Sequence, residues 1–274
     1  MTRWLRVAWA LSRRITQHYT MLIAAGVAFY TALALVPAMV GVVAVYSLVA
    51  EPSDVESQLR PLTDALPSEV AALLIRQLES VTGAADLGVT FGLVISLVGV
   101  AWAVSNAVNA VVMAIRVAHD VQSPHNWLQG RLFALRLSLL AMLAIAFQVW
   151  FVVALPRVLS RVDLGGWVDP TLRYGRWPVV LLLSALAQGA LYRIVVGREH
   201  AGDRLVTWGA LTSTAILIAG TFGLSIVSES IGEAESTFGT LGTVAALLVW
   251  LYLAAFSVLF GAEIDAFRRH WPAA

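Results

Sequence analysis

Ala24–Gly41 reads AAGVAFYTALALVPAMVG and lies within an uncharged apolar run from Leu22 to Val49. As a helix rising about 1.5 Å per residue, that run is roughly 42 Å long, more than the roughly 30 Å of bilayer hydrocarbon. It spans with tilt or a bend. Pro37 supplies a reason for a bend: its missing N–H leaves the Leu33 carbonyl without a helical donor, and its ring crowds that carbonyl. In lipid such a carbonyl needs a partner from another helix, a hydroxyl or a water. Upstream, Ala24, Ala25, Gly26 and Ala28 admit a close neighbour, and Tyr30 and Thr31 carry hydroxyls for hydrogen bonds across the contact. A kinked helix inside a bundle is the plainer reading; a substrate site is the sharper one.

The composition agrees. Of 274 residues, 59% are hydrophobic and 13% are charged, where soluble domains carry about 25% charged residues. A net charge of +1 leaves no broad electrostatic footprint for nucleic acid. Every base other than histidine is Arg; there is no Lys and no Cys. That excludes a Walker lysine, a Schiff-base lysine, thiol catalysis and thiolate metal sites. No cofactor is implied. The first apolar run is far longer than the core of a cleavable signal peptide.

Outward from the first span, the N-terminal region to about residue 20 reads as an interfacial amphipathic helix. Trp4, Ala8, Leu11 and Ile15 share one face, and Arg3, Arg6, Arg13, Arg14 and Gln17 the other. Residues 50–86 form an external amphipathic segment. Further spans read at about 87–111, 132–155, 177–196, 205–227 and 241–262, so the fold class is an all-α, six-helix polytopic membrane domain over 21–265 with a short tail at 266–274. The second span has a small-residue seam through Gly88, Gly92, Ser96, Gly99 and Ala103, with Asn106 and Asn109 near its end. The sixth has another through Gly239, Gly242, Ala246, Ala254, Ser257 and Gly261. Such seams mark close helix packing and suit a homo-oligomer as well. Gln148 and Gln188 lie inside the third and fourth spans, and Thr214 and Thr221 belong to a hydroxyl stripe on the fifth.

Six spans put both termini on one side. Eleven Arg flank that side and six the other, with Arg136 uncounted, so both ends are expected in the cytoplasm. There Arg116 and Arg136 face the level of Glu263 and Asp265, an expected ion-pair cluster locking the second, third and sixth helices.

AAGVAFYTALALVPAMVGVVAVY in the first span, AIRVAHDV after the second and TFGTLGTVAALLVWLYLAAFSVLFGAEIDA in the last resemble the YihY/BrkB family of bacterial inner-membrane proteins, over about His18 to Asp265. The resemblance implies a six-helix inner-membrane protein with cytoplasmic ends. Its members carry names from serum-resistance virulence factors and, in older usage, from a ribonuclease. It carries over no catalytic residue.

The residues themselves do not read as a nuclease. Such an enzyme needs a metal cluster or a paired acid and base, and His119, Asp120 and His125 are the only close grouping, expected to be solvated in a loop. A transporter or flippase of a lipid or amphipathic solute fits the proline-bearing first helix and the uncharged polar groups at membrane depth. No span centre carries Asp, Glu, Lys or His for ion coupling. The alternative is a structural or regulatory envelope protein that moves nothing.

Overall fold

The computed structural model describes residues 3–47, 87–122, 126–159, 168–201, 204–232 and 235–270. In order, the helices are α1 (Arg3–Gln17), α2 (Thr20–Ser47), α3 (Leu87–Ala118), α4 (Trp127–Leu159), α5 (Val168–Val196), α6 (Arg198–Ala201), α7 (Trp208–Gly232) and α8 (Glu235–His270). Among the described residues there is no strand. The amphipathic segment at 50–86, His125 and residues 160–167 fall outside them.

Among the described residues, five segments are long and apolar enough to cross a membrane: Val98–Ala118, Trp127–Ala144, Pro178–Val196, Trp208–Ile226 and Val244–Arg269. A sixth is reached by taking α1 and α2 as one bent pair, 51° apart across the break at His18 and Tyr19. The chain is an all-helical, multi-pass membrane protein.

Pro37 lies within α2, and a separate break precedes that helix. Helix α2 continues through Pro37 to Ser47, and the sharp break lies at its start. Tyr19 takes a left-handed φ of 50°. Its amide donates to the Thr16 carbonyl at 3.2 Å, while its own carbonyl accepts from the Ile23 amide at 3.0 Å. One residue therefore ends α1 and begins α2.

Helix α3 also outlasts the sequence-based span, which stops at Val111. Val112, Ile115 and Ala118 continue the buried face at helical spacing, so Arg116 sits in the helix and not in a loop. The end is a Schellman turn: Asp120 has φ 55°, the Val121 amide donates to the Arg116 carbonyl at 3.0 Å, and the Asp120 amide donates to that of Val117 at 3.1 Å.

Helix α8 is central to the bundle. It packs along α7 and α2 and also meets α1, α3 and α6. The buried core gathers toward the end that holds α1. One apolar cluster joins Val112, Ile115, Leu137, Tyr192 and Val195 across α3, α4 and α5 with Ala210 and Ala262 of α7 and α8. A second joins Ala24 and Val27 of α2, Ala114 of α3, and Ala255 and Leu259 of α8. Leu139, Leu140, Leu143 and Phe147 on α4 are exposed, as a lipid-facing surface requires.

Candidate functional site

At the α1 end of the bundle, Glu263 of α8 is fully buried. Its Oε2 accepts from Arg14 Nε at 2.8 Å. Its Oε1 lies 2.7 Å from His18 Nδ1 and accepts from the Thr20 hydroxyl at 3.2 Å. Arg14 reaches further, donating through Nη2 to Asp120 Oδ2 at 2.6 Å and to the Ala118 carbonyl at 2.9 Å. His18 Nε2 stands 3.3 Å from Asp120 Oδ1. Each nitrogen of that ring thus faces a carboxylate, and only the doubly protonated ring donates to both. Two bases and two acids form a closed clasp joining α1, the start of α2, the end of α3 and α8. A buried carboxylate needs such partners, and the 51° turn at Tyr19 swings Arg14 and His18 onto it.

This corrects the expected cluster of Arg116, Arg136, Glu263 and Asp265. Glu263 pairs with Arg14 and His18. Arg116 is buried, donates from Nε to the Val195 carbonyl at 3.4 Å, and places its guanidinium 5.6 Å from the Phe133 ring centre. Arg136 is exposed on α4, apart from the clasp. Asp265 Oδ1 accepts from the Gly209 amide at 2.7 Å, while the Thr207 hydroxyl accepts from the Ala210 amide at 3.1 Å. Together they satisfy orphan donors at the start of α7, where the helix dipole favours negative charge.

His119, expected in a solvated loop, is buried beneath this end. Its Nδ1 donates to the Ile115 carbonyl at 3.0 Å, and its ring lies 6.2 Å from that of Tyr192. Burial is the main cause that lowers its pKa from 6.5 to about 4, and the charges of Arg14 and Arg269 push the same way. Among the described residues no group of three His, Asp or Glu is placed to hold a metal.

The uncharged polar residues separate into local contacts. Gln148 Nε2 donates to the Ser184 hydroxyl at 3.3 Å, joining α4 to α5. Gln188 Nε2 donates to the Thr214 hydroxyl at 3.3 Å, joining α5 to α7. Trp250 Nε1 donates to the Thr221 hydroxyl at 3.3 Å, joining α8 to α7. Asn106 is half-buried on α3, and Asn109 Nδ2 reaches Met113 Sδ at 3.5 Å. Tyr30 is exposed on α2, edge-on to Phe29, and Thr31 donates to the Val27 carbonyl at 2.8 Å. Thr31 also borders a partly open cleft of about 180 Å³ between α2, α3 and α8, walled by Val27, Val111, Ala114, Leu251 and Ala255.

The sequence reading placed Arg14 on the polar face of the first helix and Asp120 in a loop grouping, and did not bring them, His18 and Thr20 together on Glu263. The available signal was two bases and a hydroxyl just before the first span, together with a lone Glu inside the last apolar run. The surroundings of Gly88, Gly92, Ser96 and Gly239 lie outside what the structure describes, and at Gly99 a Cβ would meet nothing within 4 Å.

A family model described as virulence factor BrkB matches residues 11–273. The chain is similar to the ribonuclease-like protein YfkH of Bacillus subtilis (strain 168), at 27% identity over 188 residues, 65% of this chain. It spans 64% of the length of that relative. No solved structure matches. With the family model covering nearly all of the helical bundle, the chain belongs to the virulence factor BrkB family.

Proposed function

We propose that this protein resides in the bacterial plasma membrane, with both termini in the cytoplasm, and carries a lipid or amphipathic solute without hydrolysing nucleotide. The supporting observation is the cleft between α2, α3 and α8. Its wall is almost wholly apolar, because the Thr31 hydroxyl is spent on its own helix. Such a wall suits an acyl chain and offers no ligand to a small ion. The excess of Arg beside the termini supports the orientation. The partner in this reading is membrane lipid, with no nucleic acid.

We read the chain as no nuclease. His18 and Asp120 are engaged in the clasp, and His119 is held by the Ile115 carbonyl, so the titratable groups of this end are committed to structure. The ribonuclease-like name belongs to the relative.

A second reading, a non-transporting structural or regulatory protein that self-associates, draws support from the pairing of Gln148, Gln188 and Thr221 into separate helix contacts. Reconstituted vesicles separate the two. Labelled phospholipid should change leaflet faster with the protein than without it, and Ala255→Phe, which fills the cleft, should slow that exchange several-fold. Exchange equal to that of empty vesicles for phospholipids, glycolipids and amphipathic solutes would transfer support to the second reading.

A further inference from the structure

On the other face of α3, away from the cleft, a second cavity of about 230 Å³ lies between α3 and the start of α4. Arg116 and Arg131 both line it, with Asn109, Asn126, Trp127 and Gly130, and among the described residues no Asp or Glu does. Arg131 is held in place on three sides. Its Nη1 donates to the Ser105 hydroxyl at 2.9 Å, and its guanidinium lies 4.0 Å from the Trp102 ring centre and 5.5 Å from that of Trp127. The two indoles are 5.9 Å apart.

Local chemistry at the mouth adds to the positive field. Asn126 precedes the first turn of α4; its carbonyl accepts from the Gly130 amide at 2.9 Å, and its amide donates to Gln129 Oε1 at 3.3 Å, a helix start built on a side chain reaching back. The N-terminal end of this 33-residue helix carries partial positive charge. Outside the cavity, Trp102, Trp127, Leu128 and Leu132 are all exposed. Trp127 opens α4, and an indole exposed at the end of a span belongs at the headgroup level, while Trp102 lies beside it from within α3.

We propose that this cavity binds the phosphate of an anionic phospholipid from the leaflet on the side of the termini. Planar guanidinium forks match phosphate oxygens, and the carboxamides of Asn109 and Asn126 supply neutral donors. The exposed indoles and leucines provide the apolar surface along which the acyl chains lie, which selects a lipid over a free ion. Two cations with no lining carboxylate disfavour a choline or ammonium headgroup. The site does not depend on transport through the cleft.

The test uses the full-length protein in detergent, with bound lipid counted by native mass spectrometry after exposure to equimolar phosphatidylglycerol and phosphatidylcholine. Phosphatidylglycerol should be retained about tenfold more, the preference of roughly one charge-assisted contact. Gly130→Leu is the deciding variant. A Cβ at Gly130 meets nothing within 4 Å, so the leucine side chain starts in open space at the cavity wall and replaces neither arginine. It should melt like the parent and lose the preference. Arg131→Gln should lose it as well, and Arg131→Lys should recover part of it. Equal retention of the two lipids by the parent protein would overturn the proposal, as would an undiminished preference in a folded Gly130→Leu variant. If inorganic phosphate at the same concentration displaced phosphatidylglycerol completely, the site would belong to the free ion.

Discussion

A single imidazole sets one expected pH response. His119 donates to the Ile115 carbonyl from within the core, and burial, aided by Arg14 and Arg269, lowers its pKa from 6.5 to about 4. The unfolded chain therefore binds a proton more readily than the folded one between these values. Its contribution is complete above about 6.5 and declines as the pH falls toward about 4, by up to about 1.4 kcal/mol per unit. Thermal melts in detergent at pH 7.5 and pH 5 check this: His119→Gln should lose less stability between the two than the parent, and an equal loss would reject the assignment. Glu263 matters through its partners. Glu263→Ala would leave Arg14 and His18 without their buried acceptor, at a cost of ~2–3 kcal/mol, less than for a fully buried pair because both bases retain some access to water. Glu263→Gln should cost less, since it keeps an acceptor for Arg14 or Thr20; melting temperatures rank the two.

Between elements, α7 approaches α8 closely. A Cβ on Gly209 would collide with the Gly261 carbonyl and the Asp265 carboxylate, and one on Gly261 would press on the Gly209 carbonyl and the Tyr192 hydroxyl. The backbones meet because neither position has a side chain, and that lets Asp265 reach the first amides of α7. Gly261→Leu should destabilise by ~1–3 kcal/mol or more, while Gly99→Leu, placed where a Cβ meets nothing, should melt within error of the parent. Gly261 was legible as part of a small-residue seam. Gly209 was not, because its contact depends on how the start of α7 crosses α8, which no spacing within either helix encodes. The length of α3 was misjudged for a related reason: Arg116 looks like the start of a loop, yet Val112, Ile115 and Ala118 keep the buried face going and carry the arginine inward with them.

At the scale of the whole molecule, the apolar runs were readable because lipid imposes a length and an internally satisfied backbone on each of them. The clasp was not, because it joins residues 249 and 245 positions apart in the chain and depends on a left-handed tyrosine that turns α1 across the bundle end. Topology follows from the same scale. Reporter fusions at Ala274 should give a cytoplasmic signal and fusions near Ser57 an external one, since Arg concentrates beside the termini; an external signal at Ala274 would reject an even number of spans with cytoplasmic ends.

The order of synthesis gives the clasp one more consequence. Arg14 and His18 are made 249 and 245 residues before Glu263. Until Glu263 is made, the first bent pair must therefore sit in the membrane with its bases answered only by water, headgroups and, once α3 is made, Asp120. The arrival of α8 then both docks the final span and draws in the first. A chain that stopped short of Glu263 would hold the earlier spans and still be unable to close.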